Sequence, residues 1–215
     1  MKKLPFDRTE ELNEMKQAYA SKKSAIRDRL AEFAAVPSSE YFYEMVYCLL
    51  TPQSSAVHED KVVAYLKAAH FQLQEFNPES ILRQKECYIR FHKTKSQHLI
   101  RLKNEFSSVL TEINQPKTAI DLRDYLVKNV YGLGMKEATH FLRNIGKNDG
   151  LAILDRHILR TLKRLRIIRE IPDSLSRKRY LEIEQRFKEF AEHIDIPLDE
   201  LDLLFWSIET GEIRK

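Results

Sequence analysis

Apolar residues recur at every third or fourth position along most of this chain, which is the spacing of an amphipathic α-helix. The first run covers about Thr9 to Ala34, and its apolar face consists of Leu12, Met15, Tyr19, Ile26, Leu30 and Phe33. Breaks rich in proline and serine follow at residues 36–39 and 51–55. Further predicted helices end at about Leu50 and Ala69 and cover about residues 80–85 and 93–111. The pattern predicts an all-α fold of helices joined by short loops.

Composition agrees with a helical protein and excludes several other classes. The sequence has five glycines and seven prolines, too few for a strand-and-turn architecture. Its two cysteines, Cys48 and Cys87, cannot form a four-cysteine iron–sulfur or zinc site, and Cys48 lies in an apolar run that predicts a buried thiol. No signal peptide or membrane-spanning run is visible, so a cytoplasmic protein without a membrane partner is expected. The net charge of +4 permits a polyanionic partner.

Residues 118–146 predict two helices joined by a tight glycine hairpin. Thr118-Ala119-Ile120-Asp121 has the form of a capping box for the first helix. That helix ends at Tyr131-Gly132-Leu133-Gly134, and a second helix starts at once and ends at Gly146. Free N–H groups and the positive dipole end at such a hairpin form an anion site. A plain interhelical turn would contain the same glycines, so the neighbouring residues decide between these interpretations.

Two charged residues follow the hairpin at helix starts. Lys136 lies in the first turn of the second helix, where the dipole opposes a positive charge. Such a setting suits a lysine that reacts as a neutral nucleophile. Asp155 lies at the predicted N-cap of a third helix, where capping alone would explain it. A carboxylate beside a reactive lysine could also stabilise positive charge that develops on a sugar.

The sequence around these residues resembles that of a known family, the helix–hairpin–helix DNA glycosylases. The similarity lies in Tyr131-Gly132-Leu133-Gly134-Met135-Lys136-Glu137-Ala138 followed by Leu154-Asp155-Arg156-His157. Within that superfamily the chain most resembles the type 2 8-oxoguanine DNA glycosylases of archaea and some bacteria, on account of its ending Phe205-Trp206-Ser207…Gly211-Glu212-Ile213-Arg214-Lys215. The resemblance extends over nearly the whole chain.

The resemblance implies a bifunctional glycosylase and AP lyase that acts in base excision repair. Lys136 matches the nucleophile, which displaces the oxidised purine, forms a Schiff base with the opened sugar and permits β-elimination. Asp155 matches the acid that assists this step. Because the chemistry requires an extruded base, the resemblance also implies a base pocket formed by Phe91, Trp206 and Lys215. Its implied partner is double-stranded DNA that contains an oxidised purine, bound by a monomer in the cytoplasm, associated with the nucleoid.

Other positions match residues that contact DNA or an ion in the family. The implied DNA contacts are Gln53, Gly132, Gly134, Arg156 and His157. Arg156 opens a basic cluster that continues with Arg160, Lys163, Arg164 and Arg166. The backbone carbonyls of Lys128, Val130 and Leu133 match a site for a structural Na⁺ or K⁺ ion. No catalytic metal, iron–sulfur cluster or other cofactor is expected.

The predicted organisation is a single all-helical glycosylase unit over residues 1–215, with the helix–hairpin–helix motif at about 121–146. Two helical lobes are expected to flank a DNA-binding cleft, with a boundary near residues 51–55 and C-terminal helices at about 155–215 that cross back. Two alternatives stay open: a glycosylase for another damaged base, and a non-catalytic helix–hairpin–helix module that binds DNA. A binding module would need the glycines but not Lys136 and Asp155 together.

Overall fold

The computed structural model describes residues 9–213, and every regular element in this range is helical. The α-helices are α1 (Thr9–Ala34), α2 (Tyr41–Leu50), α3 (Ala56–Ala68), α4 (Glu79–Leu82), α5 (His92–Ile113), α6 (Ala119–Asn129), α7 (Met135–Asn144), α8 (Arg156–Arg164), α9 (Arg177–Ile194) and α10 (Leu198–Thr210). Short 3₁₀ helices lie at Ser38–Glu40 and Lys85–Cys87. The expected all-α fold is confirmed.

The chain forms two compact units. The central unit comprises residues 36–147, and the terminal unit combines residues up to 35 with those from 148 onward. The segment 51–55, where the sequence placed a lobe boundary, lies inside the central unit. The division instead follows the ends of α1 and of α7, so the first helix of the chain belongs with its last three.

Helix α2 forms the core of the central unit and packs against α3, α5 and α7. Its residues are almost all buried, including Phe42, Met45 and Cys48, because apolar side chains surround the helix on all sides. The ring of Phe42 contacts that of Phe106 edge-to-face at 5.1 Å. Helices α6 and α7 pack against each other as predicted, and α7 also packs against α2. The hairpin between α6 and α7 is therefore anchored to the core of the central unit.

In the terminal unit, helix α10 packs against α1, α8 and α9. The rings of Phe187 and Phe205 are stacked with centroids 5.6 Å apart. Ser176 caps α9 by accepting a hydrogen bond from the Arg179 N–H group at 3.3 Å. The irregular segment that leads to α8 is held by Tyr180, whose hydroxyl donates to the Ala152 carbonyl at 2.5 Å. The start of α8 is thereby fixed against α9.

Both cysteines are buried free thiols, as the apolar surroundings of Cys48 predicted. None of the helices within residues 9–213 combines the length and the apolar character that a bilayer crossing requires.

Candidate active site

The glycine hairpin joins α6 to α7 with backbone geometry that a larger residue could not adopt. Gly132 has a φ of +95°, and a Cβ atom placed on it would lie 2.4 Å from Nδ1 of His98. Gly134 is the N-cap of α7. Thr118 caps α6 as predicted, because its Oγ1 accepts a hydrogen bond from the Asp121 N–H group at 3.1 Å. The motif therefore presents the free N–H groups of the α7 start directly behind an exposed turn.

Lys136 is the second residue of α7, and its amine is held by two neighbours. Nζ donates to Thr51 Oγ1 at 3.2 Å and lies 3.2 Å from Glu137 Oε1. The side chain of Lys136 is 23% exposed. The Thr51 hydroxyl itself donates to the Cys48 carbonyl at 2.9 Å, so its lone pairs remain for the amine. The amine is thus restrained yet still accessible, which suits a nucleophile.

Two buried ionisable groups interact electrostatically with this lysine, and no sequence pattern had indicated either of them. Lys95 and Glu59 are 4% and 2% exposed. Burial raises the pKa of Glu59 to about 7, although the charges of Lys136 and Lys95 act to lower it. Burial likewise lowers the pKa of Lys95 to about 8, and Glu59 opposes that shift. Lys95 lies in a run of polar residues that is typical of a solvated helix start, so its burial could not be predicted.

Both carboxylate oxygens of Asp155 accept hydrogen bonds from residues of the terminal unit. Oδ1 accepts a hydrogen bond from the Ile158 N–H group at 2.8 Å, which makes Asp155 the N-cap of α8, as predicted. Oδ2 accepts a hydrogen bond from the indole Nε1–H of Trp206 at 2.7 Å. The capping interpretation is therefore correct but accounts for only one oxygen. The second oxygen is oriented by Trp206, which the family resemblance had placed in a base pocket.

Trp206 is partly exposed and lies beside His157. Their ring centroids are 5.0 Å apart with an interplanar angle of 53°. Asp155, His157 and Trp206 therefore form one cluster in the terminal unit. The basic residues after Asp155 are exposed, from Arg156 to Arg166, and form a positively charged surface that follows the cluster along the chain.

Phe91 and Gln53 share an uncommon backbone conformation in the central unit. Phe91, the N-cap of α5, has a φ of +60°, and Gln53 has a φ of +57°. Left-handed conformations are costly for residues other than glycine and concentrate at functional sites. Both side chains are exposed, Phe91 by 49%. The guanidinium of Arg90 lies 4.9 Å from the centre of the Phe91 ring, so one face of the ring has a cationic neighbour.

The structure groups the predicted residues by unit. Lys136, Phe91, Gln53 and the hairpin glycines belong to the central unit, whereas Asp155, Arg156, His157 and Trp206 belong to the terminal unit. Lys215 lies outside the described residues. Sequence reasoning missed Thr51, Lys95 and Glu59 around Lys136.

No set of three or more His, Cys, Asp or Glu side chains within residues 9–213 is placed to hold a metal ion. The carbonyls of Lys128, Val130 and Leu133, matched from the sequence to a monovalent-ion site, lie at the end of α6 and in the hairpin. The Val130 carbonyl accepts a hydrogen bond from the Leu133 N–H group at 3.2 Å. A carbonyl oxygen has a second lone pair, and the last carbonyls of a helix lack intrahelical partners. Oxygen donors of this kind fit a hard monovalent cation.

Comparisons with known proteins find relatives that match almost the full chain. Residues 26–196 match a family model described as 8-oxoguanine DNA glycosylase, of the helix–hairpin–helix type. A protein of Fusobacterium nucleatum named 8-oxoguanine DNA glycosylase/AP lyase is 36% identical over 97% of this chain and 99% of its own length.

Two solved structures are also similar. The 8-oxoguanine DNA glycosylase of Thermotoga maritima has a TM-score of 0.84 and 28% identity, covering 96% of this chain and 99% of its own. The 8-oxoguanine glycosylase/lyase of Methanocaldococcus jannaschii, solved with a 15mer DNA containing 8-oxoguanine, has a TM-score of 0.81 and 32% identity, covering 95% of this chain and 99% of its own.

Proposed function

Because the chain belongs to the helix–hairpin–helix family of 8-oxoguanine DNA glycosylases, we propose that it excises 8-oxoguanine from double-stranded DNA and then nicks the strand as an AP lyase. The observation that carries this proposal is the restrained, partly exposed amine of Lys136 directly behind the glycine hairpin. A module that only binds DNA would have no use for a lysine held in this way.

The proposed reaction starts with attack of the neutral Lys136 amine on C1′ of the damaged nucleotide. The bond between C1′ and the base breaks, and the base leaves with the electron pair and takes up a proton. Opening of the sugar ring and loss of the amine protons give a Schiff base between Nζ and C1′. Removal of a proton from C2′ then expels the 3′ phosphate, which nicks the strand by β-elimination.

Asp155 and Trp206 are assigned supporting roles. The ionised Asp155 carboxylate would stabilise positive charge on the sugar as the base leaves. Extrusion of the base from the duplex requires aromatic faces that replace its stacking, and this role is assigned to the exposed ring of Phe91 and the partly exposed ring of Trp206. DNA contacts are assigned, on the strength of the resemblance, to the exposed Gln53 and Arg156 and to the half-buried His157.

The hairpin is assigned to the phosphate backbone, which its N–H groups would grip without reading the sequence. A monovalent cation held by the Lys128, Val130 and Leu133 carbonyls would supply positive charge beside that phosphate. We propose no iron–sulfur cluster, because the sequence contains only two cysteines.

The proposed function is tested with duplexes that contain a single 8-oxoguanine or an unmodified guanine. We expect the free oxidised base, identified by mass spectrometry, and a strand break at the lesion only. Duplexes with other damaged bases test the substrate range. If the protein binds the duplex but leaves the strand intact even after hot alkali, it is a binding module and the proposal is wrong.

Replacing Trp206 with phenylalanine separates the two roles of this residue. Phenylalanine keeps an aromatic face but cannot donate to Asp155 Oδ2, and hydrogen bonds to charged groups contribute about 1.5–3 kcal/mol. We expect base excision at saturating enzyme to slow about tenfold or more, while Trp206→Ala, which also removes the aromatic face, is slower still. If Trp206→Phe excises as fast as the wild type, the bond to Asp155 has no part in the reaction.

A further inference from the structure

Lys95, which the proposed reaction does not use, occupies an unfavourable position for a cation. Its side chain is buried, and burial lowers the pKa of its amine to about 8. It also lies in the first turn of α5, where the helix dipole disfavours positive charge. A cation that costs stability in two ways is a candidate for a role in function.

All three donors of the Lys95 ammonium are directed to one short segment, residues 50–54. Nζ donates to the carbonyl of Leu50 at 2.6 Å, to that of Pro52 at 2.7 Å and to Oγ of Ser54 at 2.9 Å. An ammonium has three N–H groups, so each has an acceptor. The acceptors belong to every second residue, namely Leu50, Pro52 and Ser54. Lys95 therefore holds the segment at three residues and leaves Thr51 and Gln53 free to make other contacts.

The two residues between these acceptors, Thr51 and Gln53, both have a role in the proposed reaction. Thr51 accepts the hydrogen bond from the Lys136 amine and donates its own hydroxyl proton to Cys48. Gln53 is exposed in a left-handed conformation. Without these bonds the segment would be held mainly where it joins α2 and α3, and the left-handed glutamine and the hydroxyl between those ends would be less restrained, because short polar loops gain conformational entropy when released.

Glu59 supplies the countercharge for this arrangement. It is 2% exposed, and the charges of Lys136 and Lys95 both act on it. A carboxyl group near two lysines offsets part of the cost of burying Lys95. The buried set of Lys95 and Glu59 therefore lies behind the segment that contacts the proposed nucleophile.

We propose that Lys95 is a positioning residue that clamps residues 50–54. The Thr51 hydroxyl then holds the Lys136 amine in the position from which it attacks the nucleotide. The inference rests on the proposed role of Lys136 as the nucleophile. Lys95 acts through Thr51 and not on the DNA. A misplacement of about 1 Å at a reacting group lowers rates by about 10²-fold.

The test measures single-turnover excision of 8-oxoguanine by the full chain at saturating enzyme, with the variants Lys95→Met, Thr51→Val and both together. We expect each single variant to lower the rate constant by about 10- to 100-fold, with the half-saturating enzyme concentration changed much less. The double variant should be no slower than the slower single one, since both remove the same restraint. Thr51→Ser, which keeps the hydroxyl, should restore most of the rate.

Controls separate this effect from loss of folding. Lys61→Met removes an exposed lysine of α3 and should leave the rate unchanged. Lys95→Met combined with Glu59→Gln removes both buried charges and should fold, yet remain slow. Multiplicative effects of Lys95→Met and Thr51→Val, or a wild-type rate for Lys95→Met, would overturn the inference.

Hydrogen exchange of the backbone amides of Thr51, Gln53 and Ser54 tests the clamp without any measurement of activity. In the wild type, the Ser54 N–H group donates to the Thr51 carbonyl at 3.3 Å. We expect faster exchange there in Lys95→Met but not in Lys61→Met, and equal exchange would refute the clamp. If the wild type released no 8-oxoguanine, the proposed function would fail, while the exchange result would still decide the clamp.

Discussion

Lys136→Gln should abolish the covalent adduct that borohydride traps between the protein and a duplex with one 8-oxoguanine. Glutamine has a similar length and can still bond to the Thr51 hydroxyl, but it has no amine that could form a Schiff base. Loss of a nucleophile lowers catalysis by several orders of magnitude, so we expect a fall of at least about 10⁴-fold in excision. The adduct is measured as a band of reduced mobility on a denaturing gel.

Lys61→Gln is the matched control for this variant. Lys61 lies in the same unit on α3, and its exposed side chain donates to the Glu86 carbonyl at 3.4 Å. We expect wild-type adduct with this variant and unchanged duplex binding with both. An adduct of wild-type yield with Lys136→Gln would show that another amine is the nucleophile.

Asp155→Asn is expected to leave the protein folded and slow excision by about 10²- to 10³-fold, as for other groups that stabilise developing charge. Asparagine is as good an N-cap as aspartate, so the bond from Ile158 to the side-chain oxygen can persist. The negative charge is lost. Rates are measured in single turnover at saturating enzyme, and stability by thermal unfolding.

Two further variants assign the cause of that loss. Ser176→Ala removes the N-cap of α9, so it should cost about 1 kcal/mol of stability without changing the rate. Asp155→Asn combined with Trp206→Phe removes the indole N–H, so that the asparagine amide no longer faces a second donor. If Asp155→Asn lost stability as Ser176→Ala does but kept its rate, Asp155 would be a cap and nothing more.

The helices could be predicted because their signals are local. Helix α1 covers Thr9–Ala34 as the apolar spacing indicated, and α5, predicted over 93–111, spans His92–Ile113. The caps at Thr118 and Asp155 were also evident, since each depends on a residue three positions further along.

The environment of Lys136 could not be predicted, because it depends on contacts between distant parts of the sequence. Thr51 and Lys136 are brought together by the packing of α2 on α7, and Lys95 is buried by the packing of α2 on α5. The hydrogen bond from Trp206 to Asp155 joins α10 to the start of α8 in the same way. The sequence motif predicted roles for Lys136 and Asp155, whereas the residues that contact them are evident only from the tertiary structure.

The bond from Trp206 to Asp155 also makes the protein its own spectroscopic reporter. Trp206 is the only tryptophan in the sequence, so all indole fluorescence of the chain arises beside this carboxylate and the His157 ring. An aromatic base that stacks on the indole would change its emission without any attached dye. Rapid-mixing fluorescence could therefore time the arrival and the departure of the base separately from the breaking of bonds.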